Sequence, residues 1–151
     1  MKKILSLLAI GLLMLSACDI HSSDNGALDG YWQLASIDTL GGQSSDVREK
    51  RIFWAVQGNL LEMQNWSIEV PNAINPMLVY HFTLKNNQLT LSAPIMYDRT
   101  DNSSNDSVVT DVAVLRQYGL MHIATSFQVL QLSHSDMTLK TERQQLHFRK
   151  Y

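Results

Sequence analysis

The side chains able to do chemistry are few and scattered. Cys18 is the one cysteine of the 151-residue chain. The histidines, His21, His81, His122, His134 and His147, include no H-x-H or H-x-x-x-H pair. Such spacings place two imidazoles on one metal, and a metal centre needs three or four ligands. No G-x-S-x-G segment occurs to expose a serine nucleophile on a strand-to-helix turn. Glycoside hydrolysis requires two carboxyl groups facing one cleft. Glu62 and Glu69, the acids of the central segments, read instead as solvated surface residues. Asp98, Asp101, Asn102, Asn105 and Asp106 crowd oxygen atoms together. They lack the alternating spacing and the turn glycine of a calcium loop, and read as a solvated loop. The chain is therefore expected not to be an enzyme and to hold neither metal nor cofactor.

The position of Cys18 explains it better than reactivity does. Met1-Lys2-Lys3 is a positive n-region, and Ile4 to Leu15 is an apolar run broken only by Ser6 and Gly11. That run is short of the roughly 20 residues that span a bilayer and has the layout of a secretory signal. Leu15-Ser16-Ala17-Cys18 follows at the distance of a cleavage site, and resembles the lipobox of bacterial lipoproteins. The resemblance implies removal of residues 1–17 and acylation of Cys18 (palmitate-type chains on sulfur, a further chain on the new amine). The partner so implied is a lipid bilayer, gripped by several acyl chains. An acylated Cys18 leaves no thiol for disulfide, metal or redox work.

The remaining chain is one domain's worth. The precursor has 12 Lys+Arg and 14 Asp+Glu. Loss of Lys2 and Lys3 leaves 10 against 14, with no basic patch to follow nucleic-acid phosphates. Residues 18–29 are polar and turn-rich and read as a lipidated tether. From residue 30 to residue 151, short apolar runs alternate with turn signals, the layout of an all-β barrel or sandwich. Tyr31–Asp38, Arg51–Val56, Leu60–Asn65, Met77–Lys85, Phe127–Leu132, Met137–Thr141 and Gln145–Lys150 are the predicted strands. Gln57-Gly58-Asn59 and Asn86-Asn87 are tight-turn signals. In Met77–Lys85, Leu78, Tyr80, Phe82 and Leu84 share the face expected to point inward. Short links favour antiparallel neighbours. Residues 98–111 read as a polar loop. Residues 112–121 fit either a strand or a short helix whose Val112, Leu115 and Leu120 plug one barrel end.

Gly30-Tyr31-Trp32-Gln33-Leu34 resembles the G-x-W opening of lipocalins, in which the tryptophan packs at the closed base. Leu28-Asp29-Gly30-Tyr31-Trp32, Tyr118-Gly119-Leu120 and Phe148-Arg149-Lys150-Tyr151 stand in the order seen in the lipocalin-like lipoproteins of Bacteroidetes. The resemblance implies an antiparallel meander closed into a small barrel of about eight strands. It also implies a cavity for a small hydrophobic ligand, and a place in the cell envelope, at the outer membrane. The chain is short for a full lipocalin and shows no second or third lipocalin motif. Asp106-Ser107-Val108 and Asp38-Thr39-Leu40 resemble the O-glycosylation motif of Bacteroidetes secreted proteins, with Ser107 on the more exposed segment.

Trp32, Trp54, Trp66, Tyr80 and Phe82 are the aromatics available to line a cavity or fill a core; Trp32, Tyr80 and Phe82 are the leading candidates. Phe53 and Trp54 are adjacent on a strand, so one must face outward. Two readings stay open: a barrel that holds a ligand, and a ligand-free structural or interaction component whose outward aromatic marks a docking surface. The anchor is tested first. Cys18→Ala is expected to abolish acylation and to move the protein from the membrane to the soluble fraction. Equal membrane retention would refute the anchor.

Overall fold

The computed structural model describes residues 25–39, 41–67, 77–92, 94–97, 106–123 and 125–151. The signal, Cys18 and the tether up to residue 24 lie outside the described residues, as do residues 98–105 of the polar segment 98–111. The strands, in chain order, are β1 (Gly30–Thr39), β2 (Ser44–Asp46), β3 (Ile52–Gln57), β4 (Leu60–Asn65), β5 (Met77–Lys85), β6 (Gln88–Leu91), β7 (Ile95–Tyr97), β8 (Ser107–Val108), β9 (Thr125–Leu132), β10 (Asp136–Lys140) and β11 (Gln144–Lys150). Among the described residues one α-helix, α1 (Val112–Arg116), interrupts them.

Eight of these strands form a closed antiparallel barrel in the order β1-β3-β4-β5-β6-β9-β10-β11, with β11 paired back to β1. The pairing of β4 with β5, Leu60 opposite His81 through Met63 opposite Leu78, joins what would otherwise be two free edges. The predicted turns form as expected: Gly58, Asn86 and Asn87 all adopt positive φ, as tight hairpin turns require. β2 pairs with β1, and β7 and β8 form a flap on β5. These three short strands carry too little alternation to be legible in sequence. Ser107 and Val108, expected in a loop, form β8, and both are exposed.

Alternation places the core. Trp32, Leu34, Trp54, Val56, Leu61, Met63, Leu78, Tyr80, Phe82, Phe127, Leu146 and Phe148 all belong to one buried cluster. One departure is a bulge between Leu34 and Ser36, where two residues of β1 face one of β11. The extra residue exchanges the faces beyond it. Ile37 therefore packs against the core in place of Ser36.

Both barrel ends are shut. At the base, a 3-10 turn (Gly26–Leu28) buries Leu28, and the Trp32 indole N–H donates to the Leu28 carbonyl at 2.7 Å. Lys150 lies 4.8 Å from the Trp32 ring centroid and donates to the Ala27 carbonyl at 3.2 Å. This cation–π arrangement depends on Gly30, whose φ is +120°. A Cβ there would meet Lys150 Cε at 2.7 Å. At the opposite end, α1 and the turn after it bury Leu115, Tyr118 and Leu120. This is the helical alternative of the two open for 112–121, although Val112 is only half-buried.

Gly30→Ala is expected to lower stability by about 1–3 kcal/mol, through a strained φ and displacement of Lys150. Denaturant unfolding of the two proteins checks this. An unchanged midpoint would mean that the contact over Trp32 has no energetic weight.

Candidate functional site

The barrel interior is the candidate site. Each polar side chain that reaches it can be followed to a partner or to none. Trp32 is satisfied by the base turn. Asn65, at the end of β4, donates to the Gln117 carbonyl at 2.6 Å. Gln144, at the start of β11, donates to the Gly119 carbonyl at 2.8 Å. Thr125 donates to the His122 carbonyl at 2.9 Å. These last three bonds tie the barrel rim to the segment that plugs it. Gly119 lets the plug sit close: its φ is +85°, and a Cβ would meet Leu34 Cδ2 at 2.8 Å.

Two interior groups end otherwise. Trp54 and Tyr80 are fully buried, and the Trp54 Nε1–H and the Tyr80 hydroxyl have no hydrogen-bond partner among the described residues. An unpaired buried polar group costs about 1–3 kcal/mol, so two in one small interior are conspicuous. Trp54 packs beside Phe148 and Phe127, with ring centroids 4.7 and 5.9 Å away. Tyr80 shares its strand face with Leu78 and Phe82. The two groups lie on β3 and β5 with β4 between them. Trp54 is level with Met63, and Tyr80 is one pleat along, opposite Leu61. Burial pushes the Tyr80 phenol well above the usual tyrosine range, and pushes Tyr118 up to about 12. Both phenols are neutral at physiological pH.

Of the residues singled out by sequence, Trp32, Tyr80 and Phe82 all face this interior, and Trp54 joins them. Trp66 does not; it sits on the outer wall, 41% exposed. The outward member of the adjacent pair is Phe53. It is covered, not open: Tyr31 stacks on it at 5.0 Å, and Trp66 and Tyr151 flank it at 5.1 and 5.2 Å. Arg51 lies over the Trp66 ring.

The polar features lie outside. His147 Nε2 meets Asp38 Oδ2 at 2.8 Å on the outer faces of β11 and β1. Hydrogen bonds from Ser44 and His147 hold the Asp38 carboxyl below its ordinary range. Thr138 lies 3.4 Å from His147 Nδ1, beside an irregularity in the pairing of β10 with β9. A concavity of about 500 Å³ on the outer wall is lined by polar groups, among them Gln88, Ser126, Gln128, Lys140 and Arg143. No group of three or more metal-ligating side chains occurs among the described residues.

Comparison with known proteins agrees with this architecture. A lipocalin-like protein from Bacteroides uniformis superposes with a TM-score of 0.61 at 21% identity, over 83% of this chain and 100% of that one. An uncharacterized protein from Bacteroides eggerthii gives 0.58 at 21% identity, over 82% of this chain and 98% of that one. At that identity the likeness is one of fold. No curated protein matches the chain. The family model of the lipocalin-like domain matches residues 13–151. The chain belongs to the lipocalin-like domain family.

Proposed function

We propose that this protein is an envelope lipoprotein whose barrel holds a small apolar ligand. In this reading residues 1–17 are removed, Cys18 carries the acyl chains, residues 18–29 form the tether and residues 30–151 form the binding domain. The outer membrane is its site, and Ser107, exposed on β8, is an acceptor for O-glycosylation. The lipobox-like Leu15-Ser16-Ala17-Cys18 supports the anchor.

One observation carries the ligand: the unpaired Trp54 N–H and Tyr80 hydroxyl inside an otherwise apolar barrel. Buried polar groups are nearly always paired, and a bound molecule with a hydrogen-bond acceptor would pair these. An eight-stranded barrel is wide enough for its side chains to fill or for one small ligand. The ligand would reach the interior where α1 and the Tyr118–Leu120 turn cross the rim. That plug is a single helical turn, too short to be stable without its tertiary contacts.

Native mass spectrometry of the lipidated protein, purified from its host's membranes, is expected to show one small molecule bound per chain. Recovery of only the empty chain would favour the accessory protein without a ligand. Stability gives a second test. Tyr80→Phe removes an unpaired hydroxyl, so it is expected to stabilise the ligand-free protein by about 1 kcal/mol or more. Destabilisation would show that the hydroxyl already has a partner.

A further inference from the structure

On the outer wall, one concavity has both the room and the charges of a ligand site. It measures about 500 Å³ and lies on β6, β9, the end of β10 and the turn into β11. Small-molecule sites commonly span ~300–1,000 Å³. Strand register builds the floor. Gln128 of β9 lies opposite Gln88 of β6 and opposite Lys140 of β10. Alternation leaves Gln88, Ser126 and Gln128 exposed while Leu89 and Phe127 are buried. Gln88 Nε2 donates to Ser126 Oγ at 2.7 Å, which fixes that amide on the floor.

The turn after β10 builds the side. The Thr141 hydroxyl accepts from the backbone amides of Arg143 and Gln144 at 3.2 and 3.1 Å. Gln144 is tied in turn to the plug through the Gly119 carbonyl. Arg143 therefore stands on a braced turn, and Lys140 is the last residue of the strand before it. Among the described residues, the Lys140 ammonium, the Arg143 guanidinium and the Glu142 carboxylate have no hydrogen-bond or ion-pair partner. Arg48, Arg51 and Arg149 all have partners, namely Asp46, the Trp66 ring and Gln33. Arg116 and Arg143 have none, and Arg143 is the one that lines the groove. Two cations against one acid leave the groove net positive.

That charge and lining discriminate among guests. An apolar molecule finds no apolar wall here, and a neutral sugar leaves both cations unmatched. A carboxylate brings one charge to two cations. A phosphomonoester brings about −1.5 to −2 charges and three acceptor oxygens. It suits a lysine as a point charge and the planar fork of an arginine. The amides of Gln88 and Gln128 both donate and accept, as the hydroxyls of a sugar ring require. We propose that this groove binds a phosphorylated sugar, with the phosphate between Lys140 and Arg143 and ring hydroxyls on Gln88 and Gln128. Glu142 opposes the anion and limits its affinity. The site is separate from the barrel interior, so its failure leaves the reading above untouched.

The test is equilibrium dialysis of labelled glucose 6-phosphate against the full lipidated protein in phosphatidylcholine vesicles. Glucose, inorganic phosphate and glucuronate serve as competitors, each expected to bind at least about tenfold more weakly. Arg143→Gln and Lys140→Gln are each expected to weaken glucose 6-phosphate by about fivefold or more. Glu142→Gln is expected to strengthen it by about twofold or more, and added salt to weaken it. Lys85→Gln, away from the groove, should change nothing. Inorganic phosphate as tight as the sugar phosphate would overturn the sugar, and glucuronate as tight would overturn the phosphate. No measurable binding, or unchanged affinity in both cation variants with unaltered thermal midpoints, would overturn the site. The same chemistry occurs in soluble sugar phosphates and in phosphorylated glycolipid headgroups. Competition from vesicles that carry a phosphorylated glycolipid would assign the headgroup as the source; its absence would assign the soluble sugar.

Discussion

The pairing of β4 with β5 is the constraint on which the rest of the structure depends. A sheet with that seam open would have two unpaired edges and a concave face open to water. With Leu60 through Met63 hydrogen-bonded to His81 through Leu78, the inner face becomes a closed space reached only from the ends. Every second residue of eight strands is then committed to an apolar interior. Any polar atom that projects there must find a partner within it. Trp32, Asn65, Thr125 and Gln144 do so, and Trp54 and Tyr80 do not. The candidate site is thus what is left unpaired after closure.

The two ends are sealed by the same device. In each, a wall side chain donates to a backbone carbonyl of a short crossing segment: Trp32 to Leu28 at the base, Asn65 to Gln117 and Gln144 to Gly119 at the rim. Short helical turns leave such carbonyls without internal partners, so the wall completes what the turn cannot. At the rim Gly119 permits the approach, and at the base Gly30 makes room for Lys150. The seals differ in what they bury. The base adds a cation over an indole, whereas the plug relies on Leu115, Tyr118 and Leu120 seated by a single helical turn. Local opening favours elements with few contacts of their own, which makes the plug the weaker end.

Much of this was legible in the sequence, because a closed barrel imposes period two on nearly every strand. The seven longest runs and the inward set Leu78, Tyr80, Phe82 and Leu84 followed from alternation, and the two tight turns from their glycine and asparagines. The G-x-W opening came instead from its resemblance to lipocalins, and its glycine proves to make room for Lys150. The bulge after Leu34 was not legible, since nothing in Ala35 or Ser36 announces an extra residue. Nor were β2, β7 and β8, which are two or three residues long and held by their neighbours. Trp66 misled because an aromatic just past a strand end has no alternation to fix its face. The lone unpaired groups could not be foreseen either. Sequence says that Tyr80 points inward, and only the pairing of the whole interior says that it lacks a partner.

Phe53 and Trp54 show why that lack is informative. The two neighbours seed separate aromatic clusters on opposite sides of one wall. On the outer side two polar tips share one acceptor: Gln64 Oε1 accepts from the Trp66 N–H at 2.7 Å and from the Tyr31 hydroxyl at 3.1 Å. The residue opposite Phe53 on β4 is that Gln64; the residue opposite Trp54 is Met63. The same strand pair therefore supplies an amide where water could have served, and a thioether where it could not. A chain that pairs Tyr31 and Trp66 in contact with solvent has the residue types to pair aromatics inside. Leaving a donor and a hydroxyl unmatched in the shielded space sacrifices stability, and it is in keeping with an interior whose last hydrogen bonds come from a guest.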